Sequence, residues 1–168
     1  MTHASRDTTT GLLFESKIRG EARGIPLHKK EFGKYVKEKT GKYYSLSSIR
    51  PNKANGFPEN KLARAKLCEG QYILTKALEP DEAYLDIENS TLTIFEKKTQ
   101  NTNGSVDEKL QTCDFKLRQY KKVAKEIGID NVYYIFILDS YFKNPYYYDT
   151  LQYIKSVEGC DYFFYEEK

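Results

Sequence analysis

Residues Glu79 to Gln100 read EPDEAYLDIENSTLTIFEKKTQ, and the fold turns on how this stretch pairs with itself. Glu82 to Glu88 (EAYLDIE) and Thr91 to Lys98 (TLTIFEKK) both alternate and are rich in β-branched and aromatic residues, as strands are. Asn89-Ser90 between them suits a tight turn. A two-residue turn sets Glu88 opposite Thr91, so Glu96 faces Ala83, Lys98 faces Asp81 and Asp86 pairs with Thr93. Cross-strand partners share a face, and so do residues two apart in one strand. The expectation is therefore a hairpin that projects Asp81, Glu96 and Lys98 together and turns Asp86 away. A slip of one residue would reverse the assignment.

Two carboxylates and an ammonium group on one face make a chemical set. The carboxylates are hard oxygen ligands of the kind that hold Mg²⁺, which keeps several waters and bridges to substrate phosphate. Such an ion stabilises charge on phosphoryl oxygens and lowers the pKa of a bound water. A lysine beside it can steer that water and offset charge in the transition state. Glu-x-Lys by itself is a common surface tripeptide; a Pro-Asp in register with it makes the pattern more specific.

Pro80-Asp81, fourteen further residues and Glu96-Lys97-Lys98 together resemble the PD-(D/E)XK nuclease superfamily. The continuation EKKTQ to GSVDEKLQT looks like the type II restriction endonucleases within it. The resemblance implies metal binding by Asp81 and Glu96, action of Lys98 at the attacking water, and one or two Mg²⁺ ions per site. It also implies an α/β (α+β) core, a central mixed β-sheet flanked by helices. The element order would be helix, hairpin, long helix, strand, helix, strand.

At 168 residues the chain reads as a single domain, large enough to bury a sizeable core, and the resemblance implies that it is a nuclease domain. With 39% hydrophobic and 30% charged residues and no apolar run of bilayer length, it reads as soluble. The start, MTHASRDTTT, lacks an apolar signal core, which points to the cytoplasm. Cys68, Cys113 and Cys160 are odd in number and widely spaced, so reduced, buried thiols are expected rather than a zinc site. The net charge of +3 hides an asymmetry. Residues 1–79 carry 16 Lys and Arg against 8 Asp and Glu, a balance of +8, and residues 80–168 carry 11 against 16, a balance of −5. A basic region at 21–79 beside an acidic catalytic half at 80–168 suits a protein that grips phosphate with one and binds metal with the other.

Asp7 to Thr10 offers N-caps for a helix over residues 9 to 20. In the resembled family a first-helix glutamate often faces the active site, which makes Glu15 a further candidate. A solvated carboxylate paired with Arg19 is the alternative. Pro26 to Thr40 reads as an amphipathic helix, with Phe32, Tyr35 and Val36 on its apolar stripe, five lysines around it and Gly41 closing it. The following loop carries Arg50, Asn52, Lys53 and Lys61, candidates for contact with phosphates or base edges. Leu62 to Leu78 should pack a short helix against the core.

After a loop at Asn101 to Gly104, Ser105-x-x-Glu108 forms a capping box for a long helix. Its apolar stripe is Val106, Leu110, Cys113, Leu117, Tyr120, Ala124 and Ile127, with Gly128 as the stop. Lys109, Lys116, Lys121, Lys122 and Lys125 fall on the opposite face. Gln100, Ser105 and Lys109 lie nearest the site in sequence and are the DNA-contact candidates of this half. Asn131 to Leu138 is a continuous apolar run, as in a central strand buried on both faces. A Tyr-rich helix after Pro145 and a final strand from Cys160 complete the chain.

The expected activity is Mg²⁺-dependent hydrolysis of double-stranded DNA by a sequence-specific type II restriction enzyme. Cutting both strands with one site per chain suggests a homodimer on a near-palindromic sequence. A cognate DNA methyltransferase acting on the same site is a possible partner. The alternatives are a structure-specific nuclease resembling Holliday junction resolvases and a non-catalytic DNA-binding protein.

Overall fold

In the computed structural model, residues 23–54, 56–99 and 106–165 are described. The hairpin forms as strands β4 (Glu82–Asp86) and β5 (Thr91–Lys98), antiparallel. Its register differs from the expected one: Glu82 pairs with Phe95, Ala83 with Ile94 and Asp86 with Thr91. The connection is thus four residues, Ile87 to Ser90, and not the two of Asn89-Ser90. Asp86 is the reason. Its carboxylate accepts the Asn89 backbone N–H at 3.1 Å and the Asn89 side-chain amide at 2.7 Å, which closes the loop before Asn89 can enter a two-residue turn. Ser90 takes a left-handed φ of 50° and its hydroxyl accepts the Asp130 N–H at 2.9 Å, tying the loop to the neighbouring strand.

The register moved by two residues, an even number, so every side chain keeps its face. Leu92, Ile94, Glu96 and Lys98 point one way, with Ala83 and Leu85 opposite. Phe95 points the other way and packs with Ile135 and Ile137.

β5 is the second of three strands in the central run of a five-stranded sheet, ordered β1-β4-β5-β6-β7, with β1 at Ile25–Pro26, β6 at Asn131–Leu138 and β7 at Cys160–Phe164. β1, β4 and β5 are antiparallel neighbours, whereas β5, β6 and β7 run parallel, so the sheet is mixed. Parallel neighbours need crossovers, and helices supply them. The expected long helix is divided at Gln111-Thr112 into α3 (Val106–Leu110) and α4 (Cys113–Glu126). Helix α5 (Tyr148–Ser156) makes the second crossover. Leu117, Tyr120, Val123 and Ala124 of α4 join Leu92, Ile94, Tyr134 and Phe136 of the sheet in the main core. All three cysteines are free thiols and buried.

Residues 27–81, between β1 and β4, form a separate layer on this core. The helix expected from Pro26 starts later, as α1 (Lys30–Thr40), because Pro26 is held in the edge strand opposite Tyr84. Gly41 ends α1 in the left-handed region at φ 74°, its N–H bonded to Lys37. Phe32 packs edge-on against Tyr44 and Tyr120, at centroid distances of 5.4 and 6.0 Å, and so links α1 to α4. The short helix α2 (Lys61–Leu67) does not pack on the core as expected: none of its residues is buried, and Leu62 is 75% exposed. The core contact in this region comes from β2 (Tyr43–Ser45) paired in parallel with β3 (Tyr72–Leu74), a second sheet that the sequence did not announce. Among the described residues, no helix is long and apolar enough to cross a membrane.

Candidate active site

The site lies where β5 runs past the end of β4. Asp81 immediately precedes β4 on the face shared by Ala83 and Leu85, and the observed register extends to set it opposite Glu96. The Lys97 backbone N–H donates to Asp81 Oδ2 at 2.8 Å, which fixes that placement. Lys98, expected opposite Asp81, instead lies two residues beyond that pairing on β5, with Nζ 3.9 Å from Glu96 Oε2. Asp81, Glu96 and Lys98 are therefore brought together as expected, by different pairings.

The three do not share one environment. Glu96 is only 8% exposed, although its neighbours Lys97 and Thr99 are at the surface. Burial pushes its carboxyl up to about 7, and the nearby charge of Asp81 and a hydrogen bond with it push the same way; Lys98 and Lys116 pull it back. A carboxylate pair that keeps a proton near neutral pH is a place where a cation relieves repulsion. Among the described residues, no group of three or more His, Cys, Asp and Glu could form an all-protein metal cage. Two hard carboxylates instead fit Mg²⁺, which retains waters and takes few protein ligands.

Lys116 belongs to this cluster. Sequence reading put it on the outer lysine face of the helix with Lys121, Lys122 and Lys125, but it is half-buried. Burial, and then repulsion from Lys98, lower its pKa, while Glu96 and Asp81 act in the opposite direction. It sits one residue before the buried Leu117, at the border of the apolar stripe, and that border position was the signal available.

Three buried tyrosines lie within electrostatic reach of Glu96. Burial raises the hydroxyl pKa values of Tyr44, Tyr120 and Tyr134, and the charge of Glu96 adds to each. The Tyr44 hydroxyl donates to the Leu78 carbonyl, and that of Tyr120 reaches the same oxygen at 3.5 Å. These contacts hold the segment just before Pro80 and thereby set where Asp81 emerges.

The backbone also brings α1 to the site. Leu27 N–H donates to Ala83 O and Lys29 N–H to Pro80 O, both at 2.8 Å. His28 Nδ1 accepts the Ala83 N–H at 3.2 Å. Lys29 and Lys30 consequently line the same groove, about 830 Å³, as Asp81.

Asp86 lies on the other face, as expected, with a lowered carboxyl pKa due first to its bond with the Asn89 side chain. Arg50, Asn52, Lys53 and Lys61 are all exposed. Arg50 borders a groove along α1. The Asn52 side chain accepts the Ala54 N–H at 2.8 Å within its own turn. Lys109 is exposed on α3, near enough to Lys116 to influence it electrostatically. Glu15, Gln100 and Ser105 lie outside the described residues. The chain matches no protein-family model, no curated protein and no solved structure.

Proposed function

We propose that this chain is a Mg²⁺-dependent endonuclease that hydrolyses phosphodiester bonds in double-stranded DNA, with the restriction-endonuclease-like core of the PD-(D/E)XK nucleases. The observation that carries the reading is the opposed Asp81–Glu96 pair with Lys98 beside it, the Glu96 proton held up to about 7. The order hairpin, helix, strand, helix, strand around that pair supports it.

In this reading Asp81 and Glu96 would hold the ion from the end of the hairpin. When bound, Mg²⁺ supplies Lewis-acid stabilisation of the phosphoryl oxygens and a water of lowered pKa. Asp81 is fixed by the Lys97 N–H, so it needs no reorganisation to bind. The buried Glu96 would serve as a ligand in its deprotonated form, so binding of a cation there would be favoured by higher pH. Lys98 orients the attacking water and offsets charge gathered on the phosphate. Lys116 keeps the pair from carrying an uncompensated negative charge. Double-strand cutting at a defined sequence, as in a type II restriction enzyme, then calls for a two-fold homodimer with one site per strand. A DNA methyltransferase of the same specificity would be its companion, and the cytoplasm its place of action.

The test is incubation of the purified protein with Mg²⁺ on a long duplex and on a synthetic four-way junction. Discrete duplex fragments are expected. Cutting of the junction alone would move the assignment to a resolvase, and binding without cleavage under any divalent ion would leave only a DNA-binding protein.

A further inference from the structure

The second groove of the molecule lies outside the carboxylate cluster, between α1 and the turn after β2, with a volume of about 430 Å³. Lys30, Lys34 and Lys37 line it from one side; their spacing of four and three residues puts them on one helix face. At 1.5 Å per residue that row spans roughly 10 Å. Arg50 faces them, with the exposed Ser47 and Ser48 below it. Gly33 has no side chain to fill the space above the Tyr44 ring, and a Cβ there would lie 3.5 Å from Tyr44 Cδ1. Glu79 is the one acid among the lining residues.

Two relationships decide what this groove takes. Its charged side chains are almost all positive and exposed, which suits a polyanion. It is also continuous with the groove containing Asp81, since Lys29, Lys30 and Glu79 line both. We propose that the α1 groove holds the phosphodiester backbone of the DNA strand as it leads away from the carboxylate site, with Lys34 and Arg50 as its principal phosphate contacts. Lys37 is partly engaged already, its Nζ 3.1 Å from the Tyr43 ring centroid, so it shapes the wall more than it grips. The layer between β1 and β4 is thereby a clamp that fixes direction and register, while the hairpin does the chemistry. This rests on the reading of Asp81 and Glu96 as a phosphodiester-cutting site.

The experiment measures duplex binding by fluorescence anisotropy in EDTA across a potassium chloride series. The proteins are wild type, Lys34→Ala/Arg50→Ala, the charge-keeping Lys34→Arg/Arg50→Lys, and Lys121→Ala/Lys122→Ala on the outer face of α4. Loss of two phosphate contacts should weaken binding about tenfold or more at moderate salt. It should also lower the slope of log K against log salt by about 2, equally on unrelated sequences. The charge-keeping pair should restore most of both, and the α4 pair should change neither. An unchanged slope in Lys34→Ala/Arg50→Ala, or a loss matched by the α4 pair, would overturn the proposal; so would a loss confined to one DNA sequence. A wild type that neither binds nor cuts duplex would sink the nuclease reading itself, whereas a wild type that cuts but is matched by the double variant sinks the groove alone.

Discussion

The Asp81 carboxylate accepts the backbone N–H of Lys97 at 2.8 Å, so the residue before β4 is tied to the residue between Glu96 and Lys98. One oxygen of Asp81 thus serves the backbone while its charge serves the site. Asp81→Asn keeps an acceptor for Lys97 and removes the charge; Asp81→Ala removes both. On the proposed role of Asp81 as a metal ligand, both should lose cleavage by roughly a hundredfold or more. Only the alanine variant should also lower the melting temperature. Asp86→Ala should keep cleavage and lower the melting temperature through the opened hairpin loop. Single-turnover cleavage and thermal melts on the three variants check this, and a cleavage loss larger in Asp86→Ala than in Asp81→Asn would show the wrong aspartate was chosen.

The raised pKa of Glu96 gives a signed pH dependence. Between its ordinary 4.5 and about 7 the folded carboxyl keeps a proton that the unfolded one has lost. The folded state binds more protons in that window, so this group's contribution to stability falls as pH rises through it and is flat above. The total is on the order of 3 kcal/mol. Glu96→Gln, which fixes a neutral side chain, should melt near wild type at pH 4.5 and clearly above it at pH 8. Equal differences at the two pH values would exclude a proton on Glu96. The proposed cleavage should run the other way: with Glu96 as a Mg²⁺ ligand, protons would compete with the ion below about 7, so at limiting Mg²⁺ the rate should rise with pH and level off there, and excess Mg²⁺ should move the rise to lower pH.

Lys98 and Lys116 should separate in the same assay. Both stabilise the charged form of Glu96, Lys98 the more strongly. Lys116→Met removes one of these cations and leaves Lys98, the group proposed to act at the attacking water. It should retain cleavage, with the acid limb of its pH profile moved to higher pH. Lys98→Met should lose cleavage by about two orders of magnitude or more at every pH. An unmoved limb in Lys116→Met would place Lys116 outside the site.

Much of this site was legible because strand alternation has period two. The sequence pointed to a two-residue turn and to Lys98 opposite Asp81, and both pairings were off. The right face survived because the Asp86–Asn89 bonds lengthened the loop by an even number of residues. Those bonds are local side-chain chemistry that alternation cannot see. β6 was read to the residue because a strand buried on both faces has a continuous apolar run. Lys116 was misplaced because its approach to Glu96 depends on how α4 crosses the sheet, and its place beside Leu117 at the border of the apolar stripe is a weak trace of it within the helix. The parallel β2–β3 pair was missed for a related reason: three-residue strands hold too few positions to show a period.

Two glycines with similar backbone angles should behave differently, and the difference tests how the α1 layer is attached. Gly24, at φ 99°, lies so close to β4 that a Cβ would sit 2.4 Å from the Leu85 carbonyl carbon and oxygen. Leu85 is a buried strand residue whose backbone cannot move aside. Gly41, at φ 74°, has nothing within 4 Å of such an atom. Gly41→Ala should therefore cost only the left-handed conformation, about 1 kcal/mol. Gly24→Ala adds a backbone clash to similar strain and should cost at least about 2 kcal/mol, or detach β1 from Leu85. Detaching β1 loosens the path through Leu27 and Lys29 that carries α1 to Asp81, so duplex affinity should fall in Gly24→Ala and not in Gly41→Ala. Urea unfolding and anisotropy titrations on the two variants measure both effects. Equal behaviour of the two would mean that the Gly24 contact does not anchor the layer.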